Sequence, residues 1–113
     1  MKNLITLMLF SISFISYAQK YTVVQINAEW NERNKIELPL RLEGAQVIYG
    51  HLRDQSSSLQ ESIKAVPVII LFKNNRPITQ WTADISFKLN ITKEEIANAI
   101  REDKQAYKRA RSN

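Results

Sequence analysis

Residues 65–75 read AVPVIILFKNN, the most apolar stretch downstream of the N-terminal segment. Val66 to Phe72 has the composition of an interior strand, because apolar residues occupy both of its faces. Lys73-Asn74-Asn75-Arg76 follows, and two successive Asn tolerate positive φ, which predicts a hairpin turn. Pro77 to Trp81 (PITQW) is then the returning strand, and its Pro places it at a sheet edge. Upstream, Tyr21 to Ile26 (YTVVQI) reads as a second interior strand and Ala45 to Tyr49 (AQVIY) as a third. Between them, Asn31 to Leu42 reads as a helix with Asn31 as N-cap, apolar members Ile36, Leu38, Leu40 and Leu42, a kink at Pro39 and a stop at Gly44. Asp54 to Ser58 is turn-like, and Leu59 to Lys64 is a short helix. Downstream, Ala83 to Asn90 is a loop. Thr92 to about Arg109 is the final helix, with Thr92 and Glu95 as a capping box and Ile96, Ala99, Ile100 and Tyr107 as its buried stripe.

The order β-α-β-α-β-β-α specifies one α/β domain with a mixed four-stranded sheet flanked by helices. Two helical crossovers imply parallel strands, and the terminal hairpin adds antiparallel ones. A length of 113 residues suits a single domain. The chain has no Cys and one His, His51. That composition excludes a disulfide scaffold, a thiol nucleophile, a Cys-ligated metal, a Cys-linked lipid anchor and a multi-His metal site. No cofactor is expected.

The N-terminus carries a further expectation. Met1-Lys2-Asn3 is a basic start, Leu4 to Ile15 is apolar, and Ser16-Tyr17-Ala18 supplies small residues where a signal peptidase reads. Residues 1–18 therefore read as a secretory signal peptide, cleaved after Ala18, and an uncleaved membrane anchor is the alternative. The apolar run is shorter than the ~20 residues that span a bilayer. The expected location is periplasmic or extracellular. The domain proper is 19–101, followed by a basic helical tail, 102–113.

Two segments in order resemble the thioredoxin family. VVQINAEWNERNK (Val23 to Lys35) is similar to that family's active-site segment, in which a strand leads into Ala-Glu-Trp and then Cys-Gly-Pro-Cys-Lys. Ala28-Glu29-Trp30 and Lys35 match. Asn31 and Asn34 stand at the two cysteine positions, and Glu32-Arg33 replace Gly-Pro. Pro39 lies where the family has its helix-kinking Pro. AVPVIILFKNN is similar to the cis-proline strand and the turn after it. The resemblance covers residues 21–101 and lacks the family's leading strand and helix. It implies a small thioredoxin-like sandwich, a cis Val66–Pro67 bond and a helix start near Asn31 facing that bond.

The departures decide the expected function. Thioredoxin chemistry is attack by a thiolate on a disulfide sulfur. An Asn amide neither ionises near pH 7 nor forms that bond. Gln25 occupies the position of the family's buried proton-moving Asp, and Asn27 that of an indole donor. The resemblance therefore implies a redox-inactive, non-enzymatic member. It would bind an extended peptide or a partner protein through Trp30, Asn31, Asn34, Val66 and Pro67, by strand addition at the cis-Pro groove.

Other constellations are weaker. His51, Asp54 and Ser56 to Ser58 suggest a hydrolase, but no G-x-S-x-G elbow is present, and the Ser run reads as loop. Glu29 and Glu32 could be paired carboxylates or ordinary acids at a helix start. A thiol-independent enzyme at the same groove is one alternative function. The other is an envelope-associated structural protein that uses the tail, whose Arg101, Lys104, Lys108, Arg109 and Arg111 outnumber Glu102 and Asp103. Such a tail suits weak contact with an anionic membrane surface, whereas export argues against nucleic acid.

Overall fold

The computed structural model describes residues 19–112, so the proposed signal segment lies outside the described residues. The fold is mixed α/β, built on five strands in the order β2-β3-β1-β4-β5. β1 is Tyr21–Asn27, β2 Arg41–Leu42, β3 Ala45–His51, β4 Val68–Lys73 and β5 Arg76–Thr82. α1 is Ser57–Ser62 and α2 Lys93–Ser112. β1 lies at the centre, parallel to β3 and antiparallel to β4. β5 is an outer strand, as Pro77 requires, and the ladder slips between Leu71 and Phe72 opposite that proline.

Two expectations are corrected here. The sheet has five strands, not four, and only β1 and β3 form a parallel pair, because β4 returns antiparallel to β1. The helix over Asn31 to Leu42 does not form either. A short 3-10 helix spans Glu29–Asn34, and Lys35 is already extended (φ −66°, ψ 150°). Asn31 is not an N-cap but an interior residue of that segment, off helical geometry at φ −111°, ψ 20°. Side chains make the bonds that a helix would have made. Gln25 grips both backbone groups of Ile36: Gln25 Nε2 donates to Ile36 O at 2.9 Å, and Ile36 N donates to Gln25 Oε1 at 2.8 Å. Leu38 N donates to the Tyr49 hydroxyl at 3.0 Å. Pro39 has no N–H to offer a helix. Ile36, Leu38 and Leu42 instead alternate into the core as an extended chain does. Glu43 (φ 51°) and Gly44 (φ 83°) then form the tight turn from β2 to β3, so Gly44 serves a hairpin where a helix stop was expected.

Strand alternation divides the core into two layers. On one face, Val23, Val47, Ile69 and Leu71 pack against Ile96 and Ile100 of α2, which are one turn apart on one stripe. On the other, Ile26, Val68 and Ile70 pack under Leu52, Leu59 and Ile63 around the shorter α1. Both helices begin on side-chain caps. Ser56 Oγ accepts from Leu59 N at 3.3 Å, and Thr92 Oγ1 accepts from Glu95 N at 3.2 Å. Of the expected stripe, Ile96 and Ile100 are fully buried, Ala99 and Tyr107 are half-buried, and Ala97 is buried beside them.

The start of β1 is tied to the hairpin between β4 and β5. Asn74 and Asn75 both have positive φ (52° and 68°), as a tight two-residue turn requires. Asn74 N donates to Lys20 O at 2.8 Å, and Lys20 N donates to Asn74 Oδ1 at 3.0 Å. At the same end, α2 docks through Asp103. Its carboxylate accepts from the Tyr21 hydroxyl at 2.5 Å and pairs with Lys73 at 2.9 Å. Burial pushes the Asp103 carboxyl up, but the bonds from Tyr21 and Lys73 outweigh burial and hold it below the usual range. Burial, and then the same carboxylate, push the Tyr21 phenol well above its usual value.

Candidate functional site

The site forms where β1 ends. Asn27 closes the strand, Ala28 is buried, and the 3-10 segment then turns Trp30 outward and Asn31 inward. Trp30 is 68% exposed and Asn31 is 4% exposed. The five residues expected to form the contact surface come together here, and they divide by accessibility. Asn31, Val66 and Pro67 are buried, Asn34 is half-buried, and only Trp30 stands in solvent.

Asn31 is the centre of a neutral amide network. Its Nδ2 donates to Val66 O at 3.0 Å and to Phe87 O at 3.0 Å, and lies 3.1 Å from Asn27 Oδ1. Two hydrogens thus serve three acceptors. Its Oδ1 accepts from Asn34 Nδ2 at 2.8 Å, and its carbonyl accepts from Asn27 Nδ2 at 3.0 Å. Its own N–H donates to Ala28 O at 2.9 Å. Every polar atom of the residue is engaged, and no buried side-chain nitrogen or oxygen among the described residues lacks a partner.

The Val66–Pro67 bond is cis, and Asn31 lies against it. Both carbonyls flanking that bond are occupied: Val66 O by Asn31, and Pro67 O by Ala83 N at 3.1 Å. Two buried amide side chains of β1 serve the fold itself. Gln25 is buried and holds Ile36, and Asn27 is buried and holds Asn31.

The loop expected at Ala83 to Asn90 is present after β5, but sequence reading assigned it no part in the site. Phe87 N donates to Asp84 O at 3.0 Å, and Ser86 N donates to Asp84 Oδ1 at 2.8 Å, which closes a compact turn. The Ser86 hydroxyl and amide hold the Asp84 carboxyl below its usual range. Phe87 has left-handed backbone (φ 61°). That conformation brings its carbonyl to Asn31 and its ring edge-on to Trp30, with centroids 4.9 Å apart and planes at 90°. Ile85, at the tip of the turn, is 95% exposed. The available signal was two large apolar residues, Ile85 and Phe87, inside the otherwise polar run Asp84–Lys88.

Trp30 also lines a cleft of about 260 Å³ together with Ala28, Glu29, His51, Leu52, Arg53 and Gln60. Glu29 pairs with Arg53 at 2.6 Å and Glu32 with Lys35 at 2.9 Å, so each carboxylate has its own cation. His51 is exposed, its imidazole has no hydrogen bond to any described residue, and Ser56 is engaged as the α1 cap. No group of three metal-ligating side chains occurs among the described residues, and no described helix is long and apolar enough to cross a membrane. In the basic C-terminal stretch, Arg101 pairs with Glu43 at 2.5 Å, Lys104 Nζ donates to Glu43 O at 2.8 Å, and Arg111 lies over the Tyr107 ring. A scan against protein-family models and a search of curated proteins both return no match for this chain.

Proposed function

We propose that this protein is a redox-inactive, thioredoxin-like binding module, exported, that holds an extended peptide or partner protein at the surface headed by Trp30. The observation that carries the reading is the bond from Asn31 Nδ2 to Val66 O beside an exposed Trp30. A side chain without ionisable chemistry fills the position where the resemblance requires a nucleophile, and the neighbouring aromatic surface stays open. Asn31, Asn34, Val66 and Pro67 act from beneath as the support that fixes Trp30 and the Phe87 turn. The contact itself falls to Trp30 and Phe87. Large aromatic rings supply contact area at low conformational-entropy cost, and fixing them in advance lowers what association must spend on ordering.

The test uses permanently unfolded, carboxymethylated lactalbumin as an extended-chain probe. Binding is followed by the anisotropy of a fluorescein label on the lactalbumin. A saturable rise, lost in Trp30→Ala, is expected, and an equal rise with that variant overturns the reading. In a parallel insulin-reduction assay with dithiothreitol, turnover equal to the uncatalysed rate is expected, and faster turnover ends the redox-inactive reading. The double substitution Asn31→Cys with Asn34→Cys is expected to restore measurable turnover.

A further inference from the structure

We propose that two copies of this chain pair along the outer edge of β5, antiparallel about a two-fold axis at Gln80, and so join their sheets into one.

The two edges of the sheet differ. One is β2, only two residues long, which is too short to template a partner. The other is β5, seven residues long, and no described strand lies beyond it. The inner side of β5 is fixed by the register with β4. Ala83 N donates to Pro67 O at 3.1 Å, and by alternation Trp81 bonds Ile69 and Thr79 bonds Leu71. Gln80 and Thr82 therefore aim their backbone N–H and C=O groups away from β4, off the sheet. Pro77 and the slipped ladder beside it guard the start of the strand. Past them the edge is unguarded. Ile78 to Thr82 carries no charge, Ile78 is 40% exposed, and Gln80 and Thr82 are exposed. Outward backbone groups without a charged guard are a template for another strand.

The charges at the two ends of this edge name the occupant. Arg76 is exposed and forms no ion pair among the described residues, while its cross-strand neighbour Lys73 is taken by Asp103. Asp84 is exposed beyond the other end. Ser86 keeps its carboxyl ionised, and Lys88 pulls on it more weakly. Gln80 stands four residues from Arg76 and four from Asp84. A two-fold axis at Gln80 thus sets Arg76 of each copy opposite Asp84 of the other, Ile78 opposite Thr82, and Gln80 opposite itself. A two-residue slip in either direction sends Arg76 to Ser86 or to Thr82 and leaves both charges without a partner. Exposed ion pairs contribute little energy, so they choose the register and the backbone bonds hold the strands. With one strand from each copy, the interface belongs to the small, weak class, below about 1,200 Å².

The chain has no Cys, so a single introduced thiol reports on this contact alone. Residues opposite each other in a hydrogen-bonded antiparallel pair have Cα atoms about 5.5 Å apart, within the span of a disulfide. Oxidised with copper–phenanthroline, Gln80→Cys is expected to form linked dimers at least tenfold faster than Thr82→Cys. Thr82 is also exposed, but in this register it lies about 13 Å from its counterpart, at about 3.3 Å a residue. A ratio of threefold or more supports the proposal, and a smaller one signals random collision and overturns it. Sedimentation equilibrium of the native chain is expected to show a monomer–dimer equilibrium. Its dissociation constant should rise at least threefold in Arg76→Glu, with circular dichroism checking that the fold is kept. An unchanged constant, or a native chain still monomeric at about 1 mM, overturns the pairing and leaves the reading of Trp30 intact.

Discussion

The two ends of β1 are held in opposite ways. At its start, Tyr21 meets Asp103 and Lys73 in an ionic cluster that fastens α2 to the sheet. At its finish, Asn27 and Asn31 join the strand, the Val66 carbonyl and the Phe87 turn through amides alone. One end uses charge and is sensitive to pH. The other is joined by amides that do not titrate, and the one carboxylate of the Phe87 turn, Asp84, is held below its usual range by Ser86. A surface intended to stay in one arrangement is better supported by the second kind of network, because a buried amide cannot change its charge state.

The largest expected break in that comparison is Asn31→Ala. It strips partners from the Val66 and Phe87 carbonyls and from Asn27 and Asn34, each a buried or half-buried polar group whose unmade bond is costly. A loss of about 3 kcal/mol is expected, independent of pH between 5 and 9, read by urea unfolding. A loss under about 1 kcal/mol would show the network to be incidental. Asn31→Asp sharpens the point. An ionised carboxylate would face the Val66, Phe87 and Asn27 oxygens, which disfavours the charged form and raises the folded pKa. Stability is then kept below the unfolded carboxylate value of about 3.9 and lost as pH rises through the folded one.

At the ionic end, Asp103→Asn is expected to cost about 1–2 kcal/mol at neutral pH through a lost charge-assisted bond. Its pH signature is the reverse of the previous one. The Asp103 carboxyl is held low in the folded protein, so its contribution is present above about pH 4 and lost as pH falls. The variant should have a shallower acid limb in melting temperature against pH, and superimposable limbs would contradict the assignment. Tyr21→Phe is expected to cost about 1 kcal/mol. Because the folded phenol is raised, its contribution is complete below about pH 10 and fades as pH rises above that. The substitution should remove that alkaline decline. The smallest stability effect belongs to Trp30→Ala. It removes an edge-to-face pair worth about 0.5 kcal/mol, the low end for such pairs, because the residue is mostly in solvent. A larger loss would make Trp30 a core residue instead of a contact residue.

These contrasts also show what was legible in the sequence. β1, β4, the Asn74–Asn75 turn and the outer position of β5 followed from β-branched runs, positive-φ residues and Pro77, which are local signals with local causes. Ile36 to Leu42 was misread because its apolar residues were assigned to a helix. Ile36, Leu38, Leu40 and Leu42 recur with period two, the spacing of an extended chain, and Pro39 argued the same way. The clamp that holds this segment comes from Gln25 and Tyr49, so its conformation depends on distant side chains that no window of sequence contains. At the site, proximity of Asn31 to Val66 was legible through the family resemblance. The burial of Asn31 and the arrival of Phe87 were not, because both depend on a loop closed by Asp84 and Ser86, and Phe87 is 56 residues of chain away from Asn31.

The stapling of Lys20 by Asn74 has a directional consequence. Lys20 is fixed at the hairpin pole, while Trp30 crowns the opposite one. β1 runs between them, and seven residues at about 3.3 Å each separate the poles by roughly 20 Å. A probe fixed at the hairpin pole would therefore leave the aromatic head at the far end open to solvent.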